Sequence, residues 1–353
     1  MKDRIILDDY RKSKENYVKL GDIVHEKLRS LAASSGILVM GLEHRVKEEK
    51  SLVGKLYRSG DWYQKLEDLT DLLGARVILY FSDDVDKIGK LVEQEFDIDW
   101  TLSSDKRKLL EPDSFGYQSL HYICSLPKDG SYPEELTGIR FEIQIRSILQ
   151  HAWAQIEHDM GYKSQFGVPR TVVREFARLA GLLELADEEF VRTRDHINLY
   201  IAQTRERIEN DDAGDVLIDL ISLNEYMLHN KKMREFLKEL AAIEGSEISD
   251  IDPESYIVQL KWLGITTIGQ MQDMLKRNHD IAYTLAKRAL SGTELDILAS
   301  NVALRFLCRA ELLNGHYTLE QATEFISLTS KTRERAERQA KWLFEQRDKA
   351  ENE

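Results

Sequence analysis

The sequence lacks the features of a membrane protein or of a disulfide-stabilised secreted protein. No apolar run approaches the about 20 residues that a membrane-spanning helix needs, and the charged N-terminus has no signal-peptide core. The two cysteines, Cys124 and Cys308, are far apart in apolar surroundings, so they predict neither a disulfide framework nor a zinc cluster. We therefore expect a cytoplasmic location, no membrane partner and two buried thiols.

Excess positive charge is also lacking, since the formal net charge is −13. Contacts from Lys and Arg to phosphate supply most of the non-specific affinity for nucleic acids, so an acidic chain is a poor general nucleic-acid binder. A nucleotide pocket needs only a few well-placed cations, and the net charge does not argue against one. The sequence also lacks internal repeats and low-complexity segments.

The chain of 353 residues is long enough for two domains. In the first half, strand-like segments at 75–81, 119–126 and 139–145 alternate with helical patterns, which predicts an α/β (α+β) fold with a mixed sheet flanked by helices. After residue 167, helical periodicity dominates. We therefore predict one domain over residues 1–166 and an all-α domain over residues 167–353.

The first cluster of polar residues contains three cations and a hydroxyl. Arg45 and Lys47 are two apart on a predicted strand and so share a face. Ser51 and Lys55 are four apart on a predicted helix and share a face as well. Such a set suits a polyphosphate, although a solvated charged surface would explain it equally simply.

The second cluster places Asp71 where a predicted helix ends and Arg76 just inside a buried strand. Mg²⁺ prefers one or two carboxylates together with phosphate oxygens and water, so Asp71 is a candidate metal ligand. An ordinary surface ion pair at a helix end is the competing interpretation.

The third cluster surrounds a glycine, Gly116, that permits a tight backbone turn before Tyr117. The ring of Tyr117 offers a flat surface on which a base can stack. His121 lies on the same face of the predicted strand. Arg107 lies within a basic triplet just upstream, for which a solvated loop is the simpler explanation.

The fourth cluster is a strand of strict alternation over residues 141–146. Apolar side chains point to one face, and Glu142, Gln144 and Arg146 point to the other. Polar groups projecting in parallel from an otherwise apolar strand are costly unless they are partnered or functional. This pattern favours a functional site over an exposed sheet face.

Together, these motifs resemble the ordered signature of the RelA/SpoT-type alarmone synthetase domain. The resemblance covers residues 31–165. Within the family, the sequence is similar to the small synthetases, or to their toxic branch, with an additional C-terminal helical domain. The matching positions are Arg45, Lys47, Ser51 and Lys55; Asp71, Gly74 and Arg76; the runs 116–121 and 142–146; and Trp153, Glu157, His158, Tyr162 and Lys163.

The resemblance implies an enzyme that moves the β,γ-diphosphate of ATP to a ribose 3′-hydroxyl with Mg²⁺ as cofactor. It implies that Asp71 and Glu142 are catalytic and hold the metal, with Glu142 also the candidate base. The implied ATP-binding residues are Arg45 and Arg76 around the adenine, and Lys47, Ser51 and Lys55 on the phosphates. The implied acceptor-binding residues are Tyr117, His121, Gln144, Arg107 and Arg146.

The identity of the acceptor stays open. GDP or GTP would make the chain a (p)ppGpp synthetase, but Asp113 and Phe115 resemble the toxic small synthetases, some of which modify the 3′ end of tRNA or make adenosine alarmones. A non-catalytic nucleotide sensor is a third reading, against which the intact Asp71 and Glu142 argue. No hydrolase domain is expected before the first motif, and the helical domain could serve regulation by a protein or small ligand, or homo-oligomerisation.

Overall fold

The computed structural model describes residues 2–60, 62–105, 119–161 and 169–350. The chain divides into two compact units, residues 1–194 and 195–353. The boundary that the sequence predicts, between Phe166 and Gly167, lies outside the described residues, so it stays a prediction. Among the described residues, no helix is long and apolar enough to cross a membrane.

The N-terminal unit contains a mixed sheet and the helices that flank it. Its strands are β1 (Val39–Val46), β2 (Leu73–Leu79), β3 (Asp97–Ile98), β4 (Ser104–Asp105), β5 (Leu120–Ser125) and β6 (Phe141–Ser147). Its helices are α1 (Lys2–Ser35), α2 (Glu49–Ser59), α3 (Asp84–Glu95), α4 (Glu134–Thr137), α5 (Ile148–Gly161) and the first part of α6 (Arg170–Glu209).

Among the described residues, the strands follow the order β1-β2-β6-β5-β3, and β4 pairs with β5. The pair β2–β6 is parallel, whereas β1–β2 and β5–β6 are antiparallel. The mixed sheet flanked by helices confirms the fold class that the sequence predicts for the first half of the chain.

The two faces of the central strands differ in chemistry because side chains alternate along a strand. Ala75 and Val77 of β2 and Ile143 and Ile145 of β6 are buried in the core, to which α1 and α3 also contribute. The residues that alternate with them, including Arg76, Glu142 and Gln144, therefore project from the opposite face. The predicted burial of Cys124 and Cys308 is confirmed.

The C-terminal unit is helical. It contains the end of α6, then α7 (Leu220–His229), α8 (Lys231–Ala241), α9 (Glu254–Trp262), α10 (Ile268–Leu290), α11 (Val302–Asn314), α12 (Leu319–Ser327) and α13 (Arg333–Ala350). Two three-residue strands, β7 (Glu247–Ser249) and β8 (Ile297–Ala299), form a small parallel sheet. The expectation of a purely helical domain is corrected in this detail, because strands this short carry no readable periodicity.

A buried carboxyl group joins α6 to the end of β6 inside the N-terminal unit. The Ser147 hydroxyl donates a hydrogen bond of 2.6 Å to Asp187 Oδ2, and Asp187 is only 4% exposed. Its other oxygen, Oδ1, is buried without a hydrogen-bond partner in the described part of the chain. Burial raises the pKa of Asp187 to about 6, although the hydrogen bond from Ser147 acts in the opposite direction.

The raised pKa of Asp187 predicts a pH-dependent cost to stability. The pKa is about 6 in the folded chain against an ordinary 3.8, so the folded state prefers the protonated form. The stabilisation is therefore present below about pH 4 and is lost as the pH rises through about 6. A shift of about two units corresponds to about 3 kcal/mol. We expect Asp187→Asn to raise the unfolding free energy at pH 7.5 relative to wild type by up to about 2 kcal/mol, because the amide cannot ionise.

Urea denaturation of wild type and Asp187→Asn at pH 4.5 and pH 7.5 measures this effect. The stability difference between the two proteins should grow with pH. Glu188→Gln is the matched control, because the neighbouring Glu188 side chain is 57% exposed and its removal should give a difference that does not change with pH. A pH-independent difference for Asp187→Asn would contradict the assignment of the buried charge.

Candidate active site

Strand register brings polar residues from four strands into one row. Glu43 of β1 lies opposite Arg76 of β2, Arg76 lies beside Gln144 of β6, and Gln144 lies opposite His121 of β5. The alternation within each strand and the pairing between strands thus place separate sequence motifs on one surface of the sheet.

A second row runs beside the first and contains a glycine. Gly74 of β2 lies between Arg45 of β1 and Glu142 of β6. A Cβ atom added at Gly74 would meet no other atom within 4 Å, so the space above this position is open. Glycine here leaves room for a bound molecule between the arginine and the carboxylate.

These rows form part of the wall of a cavity of about 860 Å³ within the N-terminal unit. This volume lies in the range of about 300–1,000 Å³ that is typical of small-molecule sites. The lining residues with polar side chains are His25, Glu43, His44, Arg45, Lys47, Glu48, Ser51, Asp71, Arg76, Glu142 and Gln144.

Two lysines hold the carboxylate of Asp71 at one side of the cavity. Lys55 Nζ lies 2.8 Å from Asp71 Oδ1, and Lys47 Nζ lies 3.0 Å from Asp71 Oδ2. Burial alone would raise the pKa of Asp71, but the hydrogen bond from Lys55 and the charge of Lys47 outweigh it, and the pKa lies below its ordinary value. The carboxylate is therefore ionised at neutral pH, with both lysines near it.

Glu142 is held by an imidazole and an amide. His121 Nδ1 lies 2.6 Å from Glu142 Oε1, and Gln144 Nε2 donates to Glu142 Oε2 at 2.9 Å. Burial acts to raise the pKa of Glu142, but the contact with His121 outweighs it, and the pKa is lowered. Because an ionised carboxylate only accepts hydrogen bonds, His121 Nδ1 is the donor. The other ring nitrogen, Nε2, lies 2.5 Å from Ser119 Oγ.

The two carboxylates are close enough to affect each other, since the charge of Asp71 acts to raise the pKa of Glu142. Two ionised carboxylates in one cavity repel each other unless a cation lies near both. Mg²⁺ prefers carboxylate oxygens as ligands, and two carboxylates this close to each other could both coordinate it. Asp71 and Glu142 are therefore the residues in this cavity that could hold the metal.

Arg76 extends the contacts along the first row. Its Nε donates to Gln144 Oε1 at 3.2 Å, and its Nη1 lies 3.7 Å from Glu43 Oε2. Gln144 therefore accepts from Arg76 and donates to Glu142, so its amide orientation is fixed from both sides. Through Gln144, these contacts fix the position of Arg76 relative to Glu142, the candidate catalytic residue.

Most of the predicted site residues meet at this cavity. Arg45, Lys47, Ser51, Asp71, Arg76, Glu142 and Gln144 line it. Lys55 and His121 reach it through Asp71 and Glu142. The fold therefore brings together residues that are far apart in the sequence. Their proposed roles stay predictions.

Of the remaining predicted site residues, Arg146 lies in the described part of the chain but is not among the residues that line the cavity. Arg146 is only 4% exposed, and its charge helps burial to lower the pKa of His151 in α5. Arg107 and Tyr117 lie outside the described residues, as do Asp113 and Phe115. Of the predicted acceptor-binding residues, the described part of the chain therefore includes His121, Gln144 and Arg146.

Sequence reasoning missed four residues with polar side chains that line the cavity: His25, Glu43, His44 and Glu48. Glu43 could have been found, because it continues the two-residue alternation of Arg45 and Lys47. His25 belongs to α1, and its ring centroid lies 5.1 Å from that of His44. This proximity depends on how α1 packs on β1, for which the local sequence carries no signal.

Comparison with known proteins identifies the sequence class of this region. Residues 44–166 match the family model described as a region found in RelA / SpoT proteins. This match includes β2, β5 and β6 and the carboxylates Asp71 and Glu142. The N-terminal half of the chain contains a RelA/SpoT synthetase domain of the small alarmone synthetase type. The resemblance read from the motifs is confirmed.

Two curated relatives of the synthetase domain come from Bacillus subtilis (strain 168). The GTP pyrophosphokinase YwaC is 29% identical over 163 residues, which are 44% of this chain and 76% of YwaC. The GTP pyrophosphokinase YjbM is 27% identical over 153 residues, which are 43% of this chain and 71% of YjbM.

A solved structure is also similar: the small alarmone synthetase 1 from Bacillus subtilis bound to its product pppGpp. It shares 22% identity and a TM-score of 0.47, with 54% of this chain and 99% of that chain covered. The helical C-terminal unit lies outside residues 44–166, which match the family model.

Proposed function

We propose that the synthetase domain is a pyrophosphokinase that transfers the β,γ-diphosphate of ATP to the ribose 3′-hydroxyl of GDP or GTP. The observation that carries this proposal is the meeting of two ionised carboxylates with arginine and lysine side chains in one cavity. Phosphoryl transfer depends mainly on positioning and charge neutralisation, which these groups can supply. The two curated relatives are GTP pyrophosphokinases by name.

The donor nucleotide is assigned to the side of the cavity formed by β1, β2 and α2. Arg45 and Arg76 are diagonal neighbours on one face, because Arg45 pairs with Gly74 and Arg76 is two residues further along β2. Diagonal neighbours are about 7–8 Å apart, which leaves room for one flat ring between two guanidinium groups. Adenine between them would be held by cation–π stacking.

The phosphates of ATP are assigned to Lys47, Ser51 and Lys55. In the structure, both lysines are engaged with Asp71. Mg²⁺ held by Asp71 and Glu142 would neutralise charge on the diphosphate when bound. The lysines could then turn from the carboxylate to the phosphate oxygens.

Glu142 is assigned as the base for the acceptor. It is ionised and is oriented by His121 and Gln144. The 3′-oxygen forms a bond to the β-phosphorus, the bond from that phosphorus to the α,β-bridging oxygen breaks, and AMP leaves. The proton of the 3′-hydroxyl passes to Glu142, which can accept it because its carboxylate is ionised at neutral pH.

A transfer assay with γ-labelled ATP and Mg²⁺ tests the proposal, with GDP, GTP, ATP and bulk tRNA as competing acceptors. Label on GDP or GTP is the expected result. Label on tRNA or on adenine nucleotides would retain the donor chemistry but replace the acceptor, as in the toxic small synthetases. Absence of transfer to every acceptor, in a protein that binds ATP, would contradict the proposed enzyme and favour a nucleotide sensor.

A further inference from the structure

The helical unit contains a second polar cavity, which is distant in sequence from all the synthetase motifs. It has a volume of about 310 Å³ and is lined by side chains from α9, α11, α12 and α13 and by the residues between α12 and α13. Its charged lining residues are Arg305, Arg309, Lys331 and Arg335, and no Asp or Glu lines it in the described helical unit. We call it the arginine cavity.

The cations of the arginine cavity are not neutralised by neighbouring carboxylates. In the described chain, none of Arg305, Arg309, Lys331 and Arg335 forms an ion pair. Burial, together with the charge of Arg305, lowers the pKa of Arg309 to about 10. In a chain whose net charge is −13, a concave site with only positive charge is unusual.

Both pairs of cations are placed against the preferences of their helices. Arg305 and Arg309 are four apart on α11, where like charges share a face and repel each other. Lys331 and Arg335 flank the beginning of α13, whose N-terminal dipole disfavours cations. These positions cost stability in the free protein, and a bound anion would offset that cost by attracting each of these cations.

Neutral donors complete the arginine cavity. Arg309 Nη2 donates to Gln339 Oε1 at 2.6 Å, which holds the guanidinium in place. Gln259 is 5% exposed and donates to Thr329 Oγ1 at 2.9 Å. Both amides line the cavity, as does the hydroxyl of Ser330. Guanidinium groups and hydroxyls at this density match the oxygen atoms of phosphate groups.

We propose that the arginine cavity binds a small polyphosphate anion, such as the phosphate chain of a nucleoside polyphosphate. The volume, at the lower end of ligand pockets, favours a small anion. A nucleic-acid strand would require an extended basic groove with aromatic stacking surfaces. The proposal is independent of the transfer activity assigned to the synthetase domain.

Isothermal titration calorimetry of the full chain with tripolyphosphate, which measures the dissociation constant, tests the proposal. Arg305 and Arg335 are exposed, so their replacement by Gln should leave the core intact, which a thermal melt verifies. We expect Arg305→Gln and Arg335→Gln each to weaken binding by roughly tenfold, and the double variant by roughly a hundredfold, because each loses a charge-assisted hydrogen bond. Arg333→Gln is the matched control: this arginine is on the same helix but pairs with Glu337, so binding should not change.

A second set of variants separates this site from the synthetase cavity. Lys47→Ala with Lys55→Ala should leave the tripolyphosphate affinity of the arginine cavity within about twofold, since both lysines belong to the other unit. Wild-type affinity in the Arg305→Gln/Arg335→Gln variant would overturn the proposal. An RNA oligomer whose affinity rises with length and falls in that variant would also overturn it, because the cavity would then serve a nucleic acid.

Discussion

Replacing Glu142 with Gln is expected to lower the rate of diphosphate transfer by about a thousandfold, a typical loss for a general base. The change keeps the size of the side chain but removes its charge, so the side chain can neither accept the acceptor proton nor bind Mg²⁺ strongly. The affinity for ATP should stay within about threefold, because the lysines and arginines assigned to ATP are unchanged.

The contacts of Glu142 explain why the effect should appear mainly in catalysis. His121 and Gln144 both donate to its carboxylate, and an amide oxygen can still accept one of these hydrogen bonds. The remaining mismatch costs some local stability, of the order of 1–3 kcal/mol. A thermal melt alongside single-turnover transfer would separate the two effects.

Glu43→Gln is the matched control for Glu142→Gln. Glu43 also lines the cavity and also carries a carboxylate, but its side chain is 54% exposed and lies 3.7 Å from Arg76 Nη1. We expect at most about a threefold change in transfer, because an exposed ion pair contributes little. Equal losses in the two variants would show that the charge of the cavity matters and that Glu142 has no special role as a base.

The alternation over residues 141–146 was sufficient to predict that Glu142 and Gln144 leave the core, but not that Arg146 is buried. The row that joins Glu43, Arg76, Gln144 and His121 was not predictable in the same way. It depends on the parallel pairing of β2 with β6 and the antiparallel pairing of β5 with β6, which are long-range contacts without a local signal. The resemblance to the RelA/SpoT family, and not the periodicity, predicted that residues from these separate strands belong to one site.

The segment 66–73 shows where periodicity misleads. Leucines at about three-residue spacing predict a helix, but the structure has only the 3₁₀ turn Leu66–Asp68, and β2 begins at Leu73. Asp68 Oδ2 accepts the backbone N–H groups of Gln64 and Lys65, which closes this turn. Spacing of three suits a single turn lying on the core as well as a helix, so the prediction of a helix was wrong.

Replacing Asp71 with Asn should have opposite effects on ATP binding with and without Mg²⁺. Asp71 engages both Lys47 and Lys55, so in the absence of metal the carboxylate competes with the triphosphate for these lysines. Removing its charge frees them, and ATP affinity in EDTA should rise by about three- to tenfold. With Mg²⁺ present, the variant should lose the metal's contribution, and transfer should fall by at least about a hundredfold.

Titration of ATP into wild type and Asp71→Asn, each in EDTA and in Mg²⁺, measures both effects. Asp22→Asn is the control: Asp22 is 72% exposed and lies 3.5 Å from His44 Nε2, so its replacement removes a nearby negative charge without touching the lysines. If the affinity for ATP in EDTA rose equally in both variants, the loss of any nearby negative charge would explain the rise. A rise confined to Asp71→Asn, together with the loss of Mg²⁺ dependence, would mean that the lysines exchange Asp71 for the phosphates when the metal–nucleotide complex binds.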